Sequence, residues 1–246
     1  MRTLGILGGM SWESTLLYYR LLNEGVRDAL GGLHSADLLL RSFDFARIEA
    51  LQAAGDWERA GEVLASAAAE LERAGARALV VATNTMHKLA PAIEERVAIP
   101  LLHIADATAD ALVARGHRRP LLLATRYTME QTFYRGRLAE RGIEAIVPDE
   151  RGRTIVHDAI YEELCRGIVS DDSRAAYVRI VRQAADEGAD AVIFGCTEVG
   201  LLLSSDDVPL PVFDTTALHC EAAVRYMLSA RESVSSESAC GAAHER

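Results

Sequence analysis

One short phrase occurs twice in this chain, and the duplication restricts its possible folds more than any other feature. Residues 75–85 read Gly-Ala-Arg-Ala-Leu-Val-Val-Ala-Thr-Asn-Thr, and residues 188–198 read Gly-Ala-Asp-Ala-Val-Ile-Phe-Gly-Cys-Thr-Glu. Aligned without gaps, Thr83 falls on Cys196. Each copy is a turn of small residues, a short apolar run and a polar cluster able to open a helix. The runs at 78–82 and 191–194 are apolar throughout, as parallel strands covered on both faces are. Such a repeat predicts two similar half-domains that present equivalent strand ends to one another. A shared cleft would then hold Thr83 on one wall and Cys196 on the other, which suits chemistry on two faces of one small molecule.

The repeat extends further. Ile99-Pro100-Leu101-Leu102-His103 resembles Leu210-Pro211-Val212-Phe213-Asp214, and Gly5-Ile6-Leu7-Gly8-Gly9-Met10-Ser11 has a looser counterpart in residues 121–128. Apolar runs alternate with amphipathic stretches along the whole chain, the pattern of an α/β fold with parallel strands. Strands are expected at 3–7, 37–42, 78–82, 101–104, 121–124, 144–147, 191–194 and 212–213. Helices are expected at about 12–30, 57–74, 85–95, 105–115, 128–141, 154–167, 173–187, 197–203 and 215–229. One half-domain is expected over 1–104, closed by a helix at 215–230, and the other over 105–214. Residues 231–246, rich in Ser, Glu and Ala, are expected to form a disordered tail. The ligand cleft should lie at the C-terminal ends of the strands.

Composition excludes several functions. The net charge of −10 argues against a nucleic-acid surface. It says nothing of substrate charge, since a few local arginines can hold an anion. No apolar run approaches the ~18 residues that cross a bilayer, and the N-terminal segment lacks a signal-peptide pattern. A cytoplasmic protein with no membrane partner is expected. Cys165, Cys196, Cys220 and Cys240 show no CxxC spacing, so neither a metal site nor a disulfide framework is suggested. Lys88 is the one lysine of the chain, and a lysine Schiff base would have to use it.

Three strand-end clusters carry candidate chemistry. Gly8-Gly9-Met10-Ser11 can bring backbone N–H groups close to an anion. It is not GxGxxG, so no dinucleotide cofactor is indicated. In Thr83-Asn84-Thr85-Met86-His87, Asn84 or Thr85 can cap the next helix and leave polar groups for a carboxylate. His87 is either a packing residue turned away or a neighbour of the ligand. In Gly195-Cys196-Thr197-Glu198, Cys196 is either a buried structural cysteine or a functional thiol with its thiolate stabilised at a helix start. The strand-end place and the duplicate favour the functional thiol. Arg47 and Arg126 are each either a holder of a distal substrate group or a surface arginine. Asp214 is placed to cap the last helix.

Taken together, Gly8-Gly9-Met10-Ser11-Trp12-Glu13-Ser14-Thr15, Thr83-Asn84-Thr85-Met86-His87-Lys88, Arg126-Tyr127-Thr128-Met129-Glu130 and Phe194-Gly195-Cys196-Thr197-Glu198 resemble the aspartate/glutamate racemase superfamily. The match is closest to its broad-specificity amino-acid racemases and runs from about residue 1 to 230. The resemblance implies two Rossmann-like half-domains with parallel sheets, related by pseudo-two-fold symmetry, with the active site in the cleft between them. It implies racemisation of an amino-acid substrate without a cofactor, and a homodimer. In that family two cysteines flank the α-carbon, one removing the proton and the other returning one. Cys196 matches the second. The α-carboxylate groups match Asn84, Thr85 and Thr197, with the turn at Gly9-Met10 and with Thr125 and Thr128. Aspartate-specific members hold the side-chain carboxylate with basic residues, and Arg47 is the candidate for that role. A second basic residue is expected where this chain has Leu164-Cys165.

The first family cysteine falls on Thr83, as in some members of the subfamily. An unperturbed thiol has a pKa of ~8.5, within reach of tuning at neutral pH, whereas an aliphatic hydroxyl is a far weaker acid. Unequal roles follow: Cys196 as the main acid/base, and Thr83 on the opposite face as a relay, with a bound water or without one. Two alternatives stand beside racemisation. One is a single-cysteine decarboxylase or maleate-type isomerase of the same superfamily. The other is an amino-acid-binding protein that has lost turnover.

Overall fold

The structure, a computed structural model, describes residues 1–229; the expected tail at 231–246 lies outside them. In chain order the first half contains β1 (Leu4–Gly8), α1 (Trp12–Leu30), β2 (Leu38–Ser42), α2 (Phe45–Ala53), α3 (Trp57–Arg73), β3 (Ala78–Val81) and a 3₁₀ turn (Thr85–Leu89) running into α4 (Ala90–Glu94), after which α5 (Ile104–Ala114) leads into the second. The second contains β4 (Pro120–Leu123), α6 (Arg126–Glu130), α7 (Thr132–Ala139), α8 (Glu150–Asp158), a π turn (Ala159–Glu163), a 3₁₀ turn (Leu164–Arg166), α9 (Asp171–Asp186), β5 (Ala191–Phe194), α10 (Val199–Leu202), β6 (Val212–Asp214) and α11 (Thr215–Leu228). No described helix is long and apolar enough to cross a membrane.

Two parallel three-stranded sheets form, in the orders β2-β1-β3 and β4-β5-β6. Isolated bridges add Leu101 beside Leu79 in the first and Ile146 beside Leu121 in the second. With these bridges both sheets have the same order, and the duplication is visible bond by bond. Leu79 N–H donates to Pro100 O at 2.9 Å, and its counterpart Val192 donates to Pro211 O at 2.9 Å. Ala82 N–H donates to Leu7 O, and the equivalent Gly195 to Leu123 O.

Alternation along the strands sorts the first core into two layers. Leu4, Ile6, Ala78 and Val80 face α1 and α11, meeting Tyr18, Leu22, Ala223 and Met227. Leu7, Leu79 and Val81 face the other way, onto Ile48 of α2 and Leu64, Ala68 and Leu71 of α3. The second half has one continuous core around β4 and β5, which also takes in Ile104, Ala109 and Leu112 of α5. One face of the first sheet is thus covered by α11, the last helix among the described residues.

Three expectations are corrected. The stretch 101–104 supplies one bridge at Leu101, and Ile104 already belongs to α5, capped by His103, whose Nδ1 accepts from Ala105 N–H at 3.1 Å. The stretch 144–147 likewise pairs at Ile146 alone. The expected helix over 154–167 starts earlier, at Glu150, and loosens into π and 3₁₀ turns after Asp158.

Candidate active site

Four strand ends converge between the two halves. The turn after β1 is built around Gly9, which has φ of +81°; a Cβ there would lie 2.3 Å from Phe43 O and 2.4 Å from Phe43 N. Only glycine fits that contact. Gly9 N–H is bound to Thr15 Oγ1 at 2.7 Å, so it secures α1 and is not free for a substrate. Met10, Ser11 and Ser14 come next and line a cavity at the domain boundary. The end of β3 supplies Thr83, Asn84 and Thr85, the end of β4 supplies Thr125, and the end of β5 supplies Cys196, Thr197 and Glu198.

Most of the expected site residues meet in this cavity. Thr128 stands immediately behind it: its hydroxyl lies 3.3 Å from both Thr85 Oγ1 and Thr125 Oγ1, which are 2.9 Å apart. Arg47 does not reach it. That residue is exposed on α2, while Phe45 and Gln52 of the same helix line the wall. Arg126 is also exposed and outside the lining. His87 points away, with Nδ1 donating to Thr83 O at 2.8 Å and Nε2 accepting from Ile104 N–H at 3.3 Å.

Burial follows the repeat. Along 81–87 each residue is buried except Thr83, and along 191–199 each is buried except Cys196. The two equivalent positions are where each half opens its surface to the cavity. The open space is small, about 30 Å³, room for one or two waters.

Glu198 organises the thiol side. Its Oε2 accepts from Cys196 Sγ at 2.9 Å and from Thr197 Oγ1 at 2.5 Å. Its Oε1 accepts from Ser11 Oγ at 3.0 Å and Ser14 Oγ at 3.2 Å. Ser14 Oγ also meets Thr197 Oγ1 in a very short hydrogen bond, so its one proton is shared between Oε1 and Thr197 Oγ1. Burial pushes the Cys196 thiol well above its ordinary value, and the adjacent Glu198 carboxylate and Cys165 push it further. This corrects the expectation of a dipole-stabilised thiolate. The helix after Cys196 is a four-residue turn, and desolvation and a neighbouring carboxylate outweigh it. The resting group is a thiol hydrogen-bonded to an acceptor.

Asn84 has a fixed orientation. Thr215 Oγ1 donates its one proton to Phe194 O at 2.9 Å, so it can only accept from Asn84 Nδ2, 3.0 Å away. Asn84 Oδ1 is left buried without a partner. An unpaired buried acceptor is costly, and it suits a donor such as an ammonium group.

Several lining groups escaped the sequence reading, among them Ser11, Ser14, Gln52, Tyr161, Cys165 and Glu198. Glu198 stood within the quoted motif without a role. Its position two residues after Cys196 was the available signal. Gln52 Nε2 donates to Tyr161 Oη at 2.8 Å, joining the two halves. Cys165 also lines the cavity, with its thiol pushed up to about 12 by burial and then by Glu198.

Residues 7–223 match the Asp/Glu/Hydantoin racemase family, and the chain belongs to that family. A Yersinia pestis protein assigned as an Asp/Glu racemase is 54% identical, with a TM-score of 0.88 over 93% of this chain and 100% of that one. An aspartate racemase homologue from Pyrococcus horikoshii is 34% identical, with a TM-score of 0.81 over 92% and 99% of the two chains. The broad-specificity amino-acid racemase RacX of Bacillus subtilis is 20% identical over 71% of this chain and 75% of its own.

Proposed function

We propose that the chain racemises α-amino acids at Cα, with Cys196 as the main acid/base and Thr83 on the opposite face. The observation that carries this is the pairing of Thr83 and Cys196 at equivalent strand ends, each the one open position of a buried segment, on a single cavity. In the forward step a base on one face takes the α-proton and an acid on the other returns one. Cys196 gives its thiol proton to Glu198 and, as thiolate, attacks the α-hydrogen. The hydroxyls of Thr85 and Thr125 receive the substrate carboxylate, with Thr128 supporting them from behind. Asn84 Oδ1 receives the ammonium group. Thr83, through its hydroxyl or a water on it, serves the other face. The halves must separate at Gln52–Tyr161 to admit a substrate larger than the open space.

Substrates with uncharged side chains are placed first. Among the lining residues of this cavity there is no Arg, Lys or His, and a second carboxylate desolvated there would meet no cation. The test is α-proton exchange in D₂O, followed by NMR, on both enantiomers of Met, Leu, homoserine, Asp and Glu. Exchange with inversion, faster on the uncharged set, is the expected result. Replacing Cys196 by Ala should reduce exchange by ~10²–10⁴-fold, the range for loss of a positioned proton-transfer group. Full activity in that variant would refute the assignment. A one-base reaction, decarboxylation or cis–trans isomerisation, is the second reading, favoured by the hydroxyl at Thr83; it would show as turnover of the matching diacid without any exchange of amino acids.

A further inference from the structure

A racemase that ends one turnover with its thiol protonated must lose that proton before repeating the same direction. The substrate cavity is a poor exit: it has about 30 Å³ of open space and is filled by substrate during the reaction. A second opening lies on the other side of one wall. It is a groove of about 560 Å³ between α1 and α10, whose lining includes Glu13, Leu17, Tyr19, Asn23 and Leu201. Ser14, Thr197 and Glu198 line both spaces. The wall between thiol and groove is thus one layer of side chains, and all three are polar.

Those side chains are also in hydrogen-bond sequence. Cys196 Sγ lies 2.9 Å from Glu198 Oε2, which lies 2.5 Å from Thr197 Oγ1, which in turn bonds Ser14 Oγ. Glu198, Thr197 and Ser14 are at most 9% exposed, so the chain is shielded from bulk water except where the groove reaches it. Hydroxyls are suited to such a chain because each can accept one proton while releasing another.

We propose that Thr197 and Ser14 pass protons between the Cys196–Glu198 pair and the groove, resetting the thiol through the wall while the substrate cavity stays closed. This rests on the racemase reading. Oε2 first passes on the proton that activated the thiol, by the same route, and is a free carboxylate when the C–H bond breaks and the α-proton moves to Sγ. The S–H proton moves to Oε2 as the thiolate re-forms. Oε2 then gives that proton to Thr197 Oγ1, Thr197 gives its own to Ser14, and Ser14 gives its own to a water in the groove. The net change is thiol to thiolate plus hydronium, with Glu198, Thr197 and Ser14 restored. The reverse sequence reloads the thiol. Ser14 and Thr197 are positioning and relay groups; neither touches the reacting carbon.

The readout is internal to one reaction. In D₂O, a thiol that exchanges its proton while substrate is bound returns deuterium to the same face, so deuterium appears in recovered substrate without inversion. The ratio of this wash-in to inversion reports exchange through the wall and does not depend on the amount of folded protein. Ser14→Thr and Ser14→Val have nearly the same shape and differ in the hydroxyl. For the enantiomer that faces Cys196, Ser14→Val should lower the ratio by roughly 10²-fold, the lower end of what a positioned proton-transfer group supplies, and Ser14→Thr should retain it. Equal ratios in the two variants would overturn the relay and leave the racemase intact. If neither variant folds, Ser14→Ala decides: a wild-type ratio there would overturn the relay. Wild-type protein showing neither wash-in nor inversion on any amino acid would overturn the racemase reading, and the relay with it.

Discussion

Thr83 and Cys196 occupy equivalent places, but the residue two positions on differs. After Cys196 it is Glu198, whose carboxylate accepts from the thiol and from Ser11 and Ser14 of the other half. After Thr83 it is Thr85, whose hydroxyl meets Thr125 and Thr128 of the other half. The same crossing contact is made twice, once with a proton acceptor and once without. On the racemase reading proposed above, both positions of each pair make the two faces unequal. Glu198→Gln tests the thiol side. The Glu198 charge helps hold the thiol pKa up, so removing it should lower that pKa while also removing the acceptor. The pH midpoint of Cys196 alkylation by iodoacetamide, read by mass spectrometry of its own peptide, should move down while exchange activity falls. A midpoint that stays or rises would break the pairing. Thr83→Cys tests the hydroxyl side: exchange from the enantiomer facing that residue should rise, by up to ~10²-fold, whereas an unchanged rate would place the second proton path elsewhere.

At the scale of elements, legibility tracked how strongly a segment depends on its own apolar pattern. Residues 191–194 were readable because Ala-Val-Ile-Phe is apolar on both faces and is buried on both. Residues 45–53 gave no helical pattern because α2 buries only Ile48 and Gln52. Asp44, which caps it by accepting from Ala46 N–H at 3.3 Å, was the readable sign. The site divides in the same way. The lining residues at the repeated strand ends were legible; Gln52, Tyr161 and Cys165 were not, because a helix without a stripe, a π turn and a 3₁₀ turn bring them in from the side. Arg47 was misplaced for that reason as well, since the unrecognised α2 turns it to solvent. Asp214 was read correctly as a cap: its Oδ1 accepts from Thr216 N–H at 2.8 Å and Ala217 N–H at 3.1 Å. It joins the end of β6, in the second sheet, to α11, in the core of the first. Asp214→Ala should therefore lower unfolding stability by ~1–2 kcal/mol, seen as a lower urea midpoint. An unchanged midpoint would mean that α11 is held by its apolar face alone.

The whole molecule is held together partly by a group of neutral histidines at the junction of β3, α5 and α11. The His87 and His103 rings meet at a tilt with centroids 4.5 Å apart, and His219 stands 5.6 Å from His87. His219 donates to Leu102 O at 2.7 Å and accepts from Tyr18 Oη at 2.8 Å. His87 and His103 each accept a backbone N–H. Burial lowers all three pKa values, His219 to about 4 and His103 to about 3, with Arg137 also opposing charge on His103 and Asp106 favouring it. The unfolded chain, with histidines near ~6.5, then binds more protons than the folded one below that pH. Stability is complete above about pH 6.5 and falls as pH drops toward the folded values, at up to ~1.4 kcal/mol per pH unit for each histidine. Asp214 works in the opposite sense, because burial raises its pKa, but it is one group against three. Unfolding free energy from urea titration should be lower at pH 5.5 than at pH 7.5. In His103→Asn a non-titrating side chain can still accept from Ala105 N–H, and the pH dependence should be shallower by about one proton. Equal stability at the two pH values, or a rise toward acid, would show that the histidines do not stay neutral at this junction and that another contact binds α11 to the first sheet.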